Sequence, residues 1–156
     1  TSRGLGDVYK RQGMLWALGV LAEVLLFVVM SRILARFSLR RVLLASFLLA
    51  ALRWLLLGAF AEHLAVLLLA QLMHAATFGA FHASCIAFVQ RSFGARQQGQ
   101  GQAFYAALSG TGGALGALYA GYSWKTLGPT LTFSIASVAA LAAAVIIATR
   151  LKEDAA

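Results

Sequence analysis

From Leu64 to Val89 the chain reads LAVLLLAQLMHAATFGAFHASCIAFV, without one Asp, Glu, Lys or Arg. A run of that length and apolarity is sufficient to cross a bilayer as a helix. Its polar groups are not scattered. Steps of three and four residues from Gln71 reach His74, Phe78, His82 and Cys85, which places them on one helical stripe. The other faces are Leu, Ala, Val and Met. A helix that is apolar on three sides and carries imidazoles on the fourth turns that fourth side away from lipid. The chain must therefore set something wet or charged against it.

Composition points to the same solvent. Hydrophobic residues make up 61% of the chain and charged residues only 12%, with mean hydropathy +0.81, where soluble domains carry about 25% charged residues. The expected fold is an all-α membrane protein with five spans, over 13–34, 42–60, 64–89, 103–122 and 130–149. No alternating pattern of strand length recurs, which excludes a membrane β-barrel. A single Cys and a single Pro provide neither a disulfide framework nor a zinc motif, and Cys85 reads as a small packing residue.

A net charge of +8 would suggest nucleic acid in a soluble protein, but here the positions of the charges decide. Arg32, Arg36, Arg40 and Arg41 crowd the first connection, Arg91 and Arg96 the third, and Arg150 and Lys152 the 150–156 tail, whereas the two connections on the opposite side carry only Lys125. The positive-inside rule makes the arginine-rich side cytoplasmic. The expectation is a multi-pass protein of the inner (plasma) membrane, with a cytoplasmic C-terminus and no nucleic-acid partner. Residues 1–12, TSRGLGDVYKRQ, put three basic residues on the wrong side. They resemble translated adapter sequence and are read as a non-native or disordered extension.

Depth brings the ionisable groups together. Glu23 lies roughly 15 Å below the outer end of the first span, Arg53 about 10 Å below that of the second, and Gln71 and His74 about 10 and 15 Å into the third. A guanidinium held near the middle of a span costs on the order of 2.5–3.5 kcal/mol and needs a partner, and Glu23 is the only acid in any span. Trp16 and Phe78 share the faces of Glu23 and His74, His82 lies towards the cytoplasmic end, and Tyr105 on the fourth span can offer a hydroxyl. A polar layer midway through a bundle is where transporters hold solute and coupling ions. Glu23 and His74 are thus the candidate proton-coupling groups. Arg53, Gln71, His74, Phe78, His82, Trp16 and Tyr105 are the candidate substrate-binding groups.

Other chemistries fit less well. His74 and His82 stand about 12 Å apart along one helix, and no second span supplies a His or Cys, so neither a metal site nor a bis-His haem is expected. Ser84 and Cys85 adjoin His82 in sequence but have no placed base. No catalytic residue, cofactor or metal is assigned. A structural Glu23–Arg53 ion pair is the plain alternative, although apolar residues could replace such a pair without loss of stability.

The connection SRILARFSLRRVLL resembles a degraded loop signature of the major facilitator superfamily. The segments GMLWALGVLAEV, LRW, QLMHAATFGAFHAS and GQAFYAALSGTGG look like helices eight to eleven of its phenylpropionate permease family. That resemblance implies a twelve-helix proton symporter for a small organic solute, with aromatic carboxylates such as phenylpropionate as candidates. The five spans would be helices 8 to 12, part of the C-terminal six-helix bundle, and the N-terminal half would be a missing partner. The constellation is also similar to that of lactose permease, except that Thr77 stands where that relative has a second carboxylate. Alternatives are a sugar or nucleoside symporter of the same superfamily, or a non-transporting membrane sensor or assembly subunit.

Overall fold

The computed structural model describes residues 2–152, with the side chains of residues 12–14 and 16–152. Five helices follow one another: α1 (Ser2–Arg36), α2 (Leu39–Phe60), α3 (Leu64–Ser92), α4 (Gln98–Thr126) and α5 (Gly128–Arg150). Four contain stretches long and apolar enough to cross a membrane: Gln12–Arg36 of α1, and the whole of α2, α3 and α5. The fourth helix in sequence, α4, is also long enough, but its glycines, Ser109 and Tyr residues make it less apolar than the rest.

Local chemistry sets the boundaries. Ser38 caps α2, its Oγ accepting from the backbone N–H of Arg41 at 3.4 Å. The α4–α5 corner turns on Gly128, whose φ of +77° is open to glycine at little cost, with Pro129 in the first turn of α5. The Gln- and Gly-rich 90–102 segment is largely helical. A short 3₁₀ turn over Ala95–Gln97 leads straight into α4. The Gln98 side chain donates to the carbonyls of Gln90 and Phe93 at 3.0 and 2.6 Å, closing the end of α3.

Neighbours in sequence are not always neighbours in space. α1 packs on α3, α3 on α2, and α2 on α5, while α4 bridges α3 and α5. Named contacts give the directions. Gly19 with Gln71 and Gly79 with Leu26 run in the same order along α1 and α3, so these two are parallel. Arg40 with Ala148 and Gly58 with Thr130 run in opposite order, so α2 and α5 are antiparallel. The chain thus reverses direction at each of the four connections between its five α-helices, and Arg32, Arg36, Arg40, Arg41, Arg91, Arg96 and Arg150 collect at one end of the bundle.

The packing is that of a protein in lipid. Contacts are made by small residues: Ala51, Ala70, Ala75, Ser84, Ser137 and Ala144 are buried. Leu52, Leu69, Val138 and Ile146 point outward. Where the solvent is as apolar as the side chains, burial of Leu gives no drive, and close approach of small residues with interhelical hydrogen bonds holds helices together. α5 shows this well. It is tied to α2 by Ser137 donating to the Ala51 carbonyl at 2.9 Å, Thr130 to that of Gly58 at 3.0 Å and Arg40 to that of Ala148 at 2.7 Å. The glycine face of α4 behaves differently. A Cβ on Gly112, Gly113 or Gly116 would meet no atom within 4 Å among the described residues.

Candidate functional site

α1 and α3 run side by side at a separation set by small residues. At Gly19 an added Cβ would come within 3.5 Å of the Gln71 amide oxygen, and at Gly79 within 2.6 Å of Leu26. This close approach brings Glu23 to His74, with Oε1 and Nε2 3.8 Å apart. Both side chains keep some access to solvent, 25% for Glu23 and 39% for His74. At that separation the acid and the imidazole, when protonated, attract without being locked into one hydrogen-bonded geometry.

Arg53 enters from α2 and lines the same cavity, of about 430 Å³, as Glu23, Gln71, His74, Trp16 and Phe78. That volume lies within the range of about 300–1,000 Å³ typical of small-molecule sites. Glu23 and Arg53 do not pair directly, because the acid faces His74 and the guanidinium lies over the indole of Trp54, with Cζ 3.9 Å from the ring centroid. A cation over an aromatic face is worth about 0.5–2 kcal/mol, more when desolvated, which offsets part of the cost of a mid-span arginine. Its Nε is buried and has no hydrogen-bond partner among the described residues. An arginine seated in this way still has a planar fork suited to both oxygens of a carboxylate.

On its other side the wall formed by Arg53, His74 and Phe78 borders a second, smaller cavity of about 280 Å³, lined by Phe47, Trp54 and Phe81. Phe47 and Phe81 meet edge to face with centroids 5.6 Å apart. Thr77, in the place where the resemblance would put a carboxylate, is buried and donates to the His74 carbonyl at 3.1 Å. Such back-bonding spends its hydroxyl within the helix.

The stripe on α3 continues as a column of rings. Phe78 sits 5.6 Å from His74 and stacks on His82 at 5.2 Å, and His82 meets Tyr105 of α4 at 5.3 Å. The Tyr105 hydroxyl is hydrogen bonded to Nδ1 of His82 at 2.6 Å. The eight residues singled out from sequence therefore fall in two places. Six of them (Trp16, Glu23, Arg53, Gln71, His74 and Phe78) line the larger cavity, while His82 and Tyr105 form a bonded pair one turn beyond Phe78. Among the described residues no group of three His, Cys, Asp or Glu is gathered as a metal site would be.

Two contributors were invisible in the sequence. Trp54 follows Arg53 directly, and adjacent helical residues diverge by about 100°, so nothing in the spacing announces that the guanidinium folds back over the indole. The His82–Tyr105 bond joins residues 23 positions apart. It depends on the close α3–α4 approach at Gly101, where a Cβ would collide with Val89 and Phe93.

Residues 5–135 match the MFS_1 like family. Over 132 residues the chain is 33% identical to a probable 3-phenylpropionic acid transporter of Escherichia coli (strain K12), covering 81% of this chain and 33% of that protein. The chain thus spans about a third of the length of this curated relative. No solved structure gives a significant match.

Proposed function

This chain belongs to the MFS_1 like family of the major facilitator superfamily, and from that premise we propose that it serves a secondary active transporter, a proton-coupled symporter for a small organic carboxylate. The observation that carries this reading is the meeting of Glu23, Arg53, Gln71 and His74, from three helices, around one cavity. Arg53 binds the solute carboxylate through its fork. Gln71 and His74 offer hydrogen bonds, and Trp16 and Phe78 offer ring faces to the remainder of the solute. Glu23 exchanges the coupling proton and His74, 3.8 Å away, answers its charge. His82 and Tyr105 extend the solute path past Phe78.

The relative's printed substrate, 3-phenylpropionic acid, has one carboxylate and one ring, and both fit the chemistry of this lining. The aryl carboxylates are therefore the proposed substrate class. The whole transporter includes a partner half beyond this chain, lies in the inner (plasma) membrane, and has its arginine-rich end in the cytoplasm. Protons, the solute and lipid are its partners, and no enzymatic step is assigned.

Uptake of labelled 3-phenylpropionate by the complete transporter in proteoliposomes tests the reading. An inward proton gradient drives accumulation by the wild type. Glu23→Gln abolishes accumulation and leaves solute exchange intact. Uphill uptake that survives Glu23→Gln, or a wild type that moves no carboxylate at all, overturns the proposal.

A further inference from the structure

Arg53, His74 and Phe78 line both the larger cavity and its smaller neighbour, so a solute held by its carboxylate on Arg53 has two places for its ring. The two differ in chemistry. The larger cavity is walled by Glu23, Gln71 and His74, and a ring set against them strips water from an acid, an amide and an imidazole while returning no hydrogen bond. Trp16, the ring that this cavity does not share, stands 76% exposed.

The smaller cavity lies in the α2–α3 seam. Phe47, Ala50 and Trp54 on α2 face Thr77, Phe78 and Phe81 on α3, each set falling on one helical stripe. Its hydroxyls are spent inside their own helices: Ser46 donates to the Val42 carbonyl at 2.8 Å and Thr77 to that of His74 at 3.1 Å, and both residues are buried. What remains is aromatic. Phe47 and Phe81 meet edge to face, and Trp54 is held by Phe133 of α5, stacked on it with centroids 5.6 Å apart. All three walls are half-buried. Apolar cavities of about 150 Å³ take a benzene ring, and this one has about 280 Å³.

The position of the charge favours the same side. The Arg53 guanidinium is seated on the indole of Trp54, and Trp54 lines the smaller cavity and not the larger. Its buried Nε has no partner among the described residues. A cation thus stands at the wall the two cavities share, with aromatic rings beyond it.

We propose that the α2–α3 cavity is the aryl subsite of the solute site: the carboxylate rests on Arg53 and the ring enters between Phe47, Trp54 and Phe81. With Arg53 holding the carboxylate, the reading on which this placement rests, Ala50 fixes the size of ring that fits, because its methyl leaves the space that a larger side chain would take.

Equilibrium binding of labelled 3-phenylpropionate and labelled propionate to the complete transporter in detergent tests it. Both acids present the same carboxylate and only one has a ring, so the ratio of their affinities reads the aryl subsite and is not moved by a general loss of folded protein. In the wild type the ratio favours 3-phenylpropionate by at least about tenfold. Ala50→Phe fills the cavity and lowers the ratio about tenfold. Phe81→Ala widens it and raises the affinity for the naphthyl analogue relative to 3-phenylpropionate about fivefold. A ratio that Ala50→Phe leaves as in the wild type overturns the aryl subsite while the carboxylate role of Arg53 stands, and so does a naphthyl preference unmoved by Phe81→Ala. Collapse of the ratio in Trp16→Ala, with Ala50→Phe silent, also overturns it and places the ring in the larger cavity. A wild type that binds neither acid overturns the carboxylate reading together with the subsite.

Discussion

The Glu23–His74 pair yields the sharpest quantitative expectation. Two unit charges about 4 Å apart interact by about 1 kcal/mol in bulk water and about 4 kcal/mol at the effective dielectric of a protein surface. Here the atoms are 3.8 Å apart and both side chains are partly solvated, at 25% and 39% exposure, which for the protonated imidazole, at a pH below its ordinary pKa of about 6.5, moves the interaction to the lower half of that range, about 1–2 kcal/mol. The perturbation is a double-mutant cycle of Glu23→Gln, His74→Gln and the two together. Each replacement keeps hydrogen-bonding capacity while removing the titrating group. The assay is equilibrium binding of labelled 3-phenylpropionate to the complete transporter in detergent. A coupling of 1–2 kcal/mol makes the double mutant's Kd depart from the product of the single effects by about five- to thirtyfold. If the effects multiply to within a factor of two, the two groups do not sense one another, and the proton-exchange role built on their proximity fails.

Three further outcomes follow from other contacts. Arg53→Lys keeps the charge but loses the planar fork and the flat seat on Trp54, and carboxylate affinity falls about tenfold; unchanged uptake kinetics would show that the arginine does not hold the solute. Ser137→Ala removes the buried bond to the Ala51 carbonyl and costs about 0.6 kcal/mol, with an upper value of about 1.7, visible as a lowered Tm in detergent with solute binding retained. Gly128→Ala forces an L side chain into φ +77° at a cost of about 1–2 kcal/mol, and a Tm equal to wild type would mean that the α4–α5 corner relaxes elsewhere.

How much of this was legible in the sequence depends on the range of the interaction. The helices were, because in lipid every backbone polar group must be satisfied within its own segment, and apolar length alone then marks a span. α2 and α3 begin or end within a few residues of the reading. The polar layer was legible for a related reason: ionisable groups inside spans are so costly that they reveal themselves, and depth along a helix is a simple product of rise and residue count. The partner of each charge was not. Depth places Glu23 and Arg53 at one level, but the rotation of each helix about its axis decides that the acid meets His74 and the guanidinium meets Trp54.

The division has one physical origin. A sequence determines by itself whatever depends on a single helix in its solvent: the membrane as medium, the number and direction of the helices, the stripe on α3 and the charged end of the bundle. Tertiary structure alone decides which helices touch. Those contacts are set by where small residues such as Gly19, Gly79 and Gly101 permit close approach, and a glycine in a sequence does not declare which neighbour it admits. The order α1–α3–α2–α5, the Tyr105–His82 bond and the aromatic cavity in the α2–α3 seam all follow from that choice.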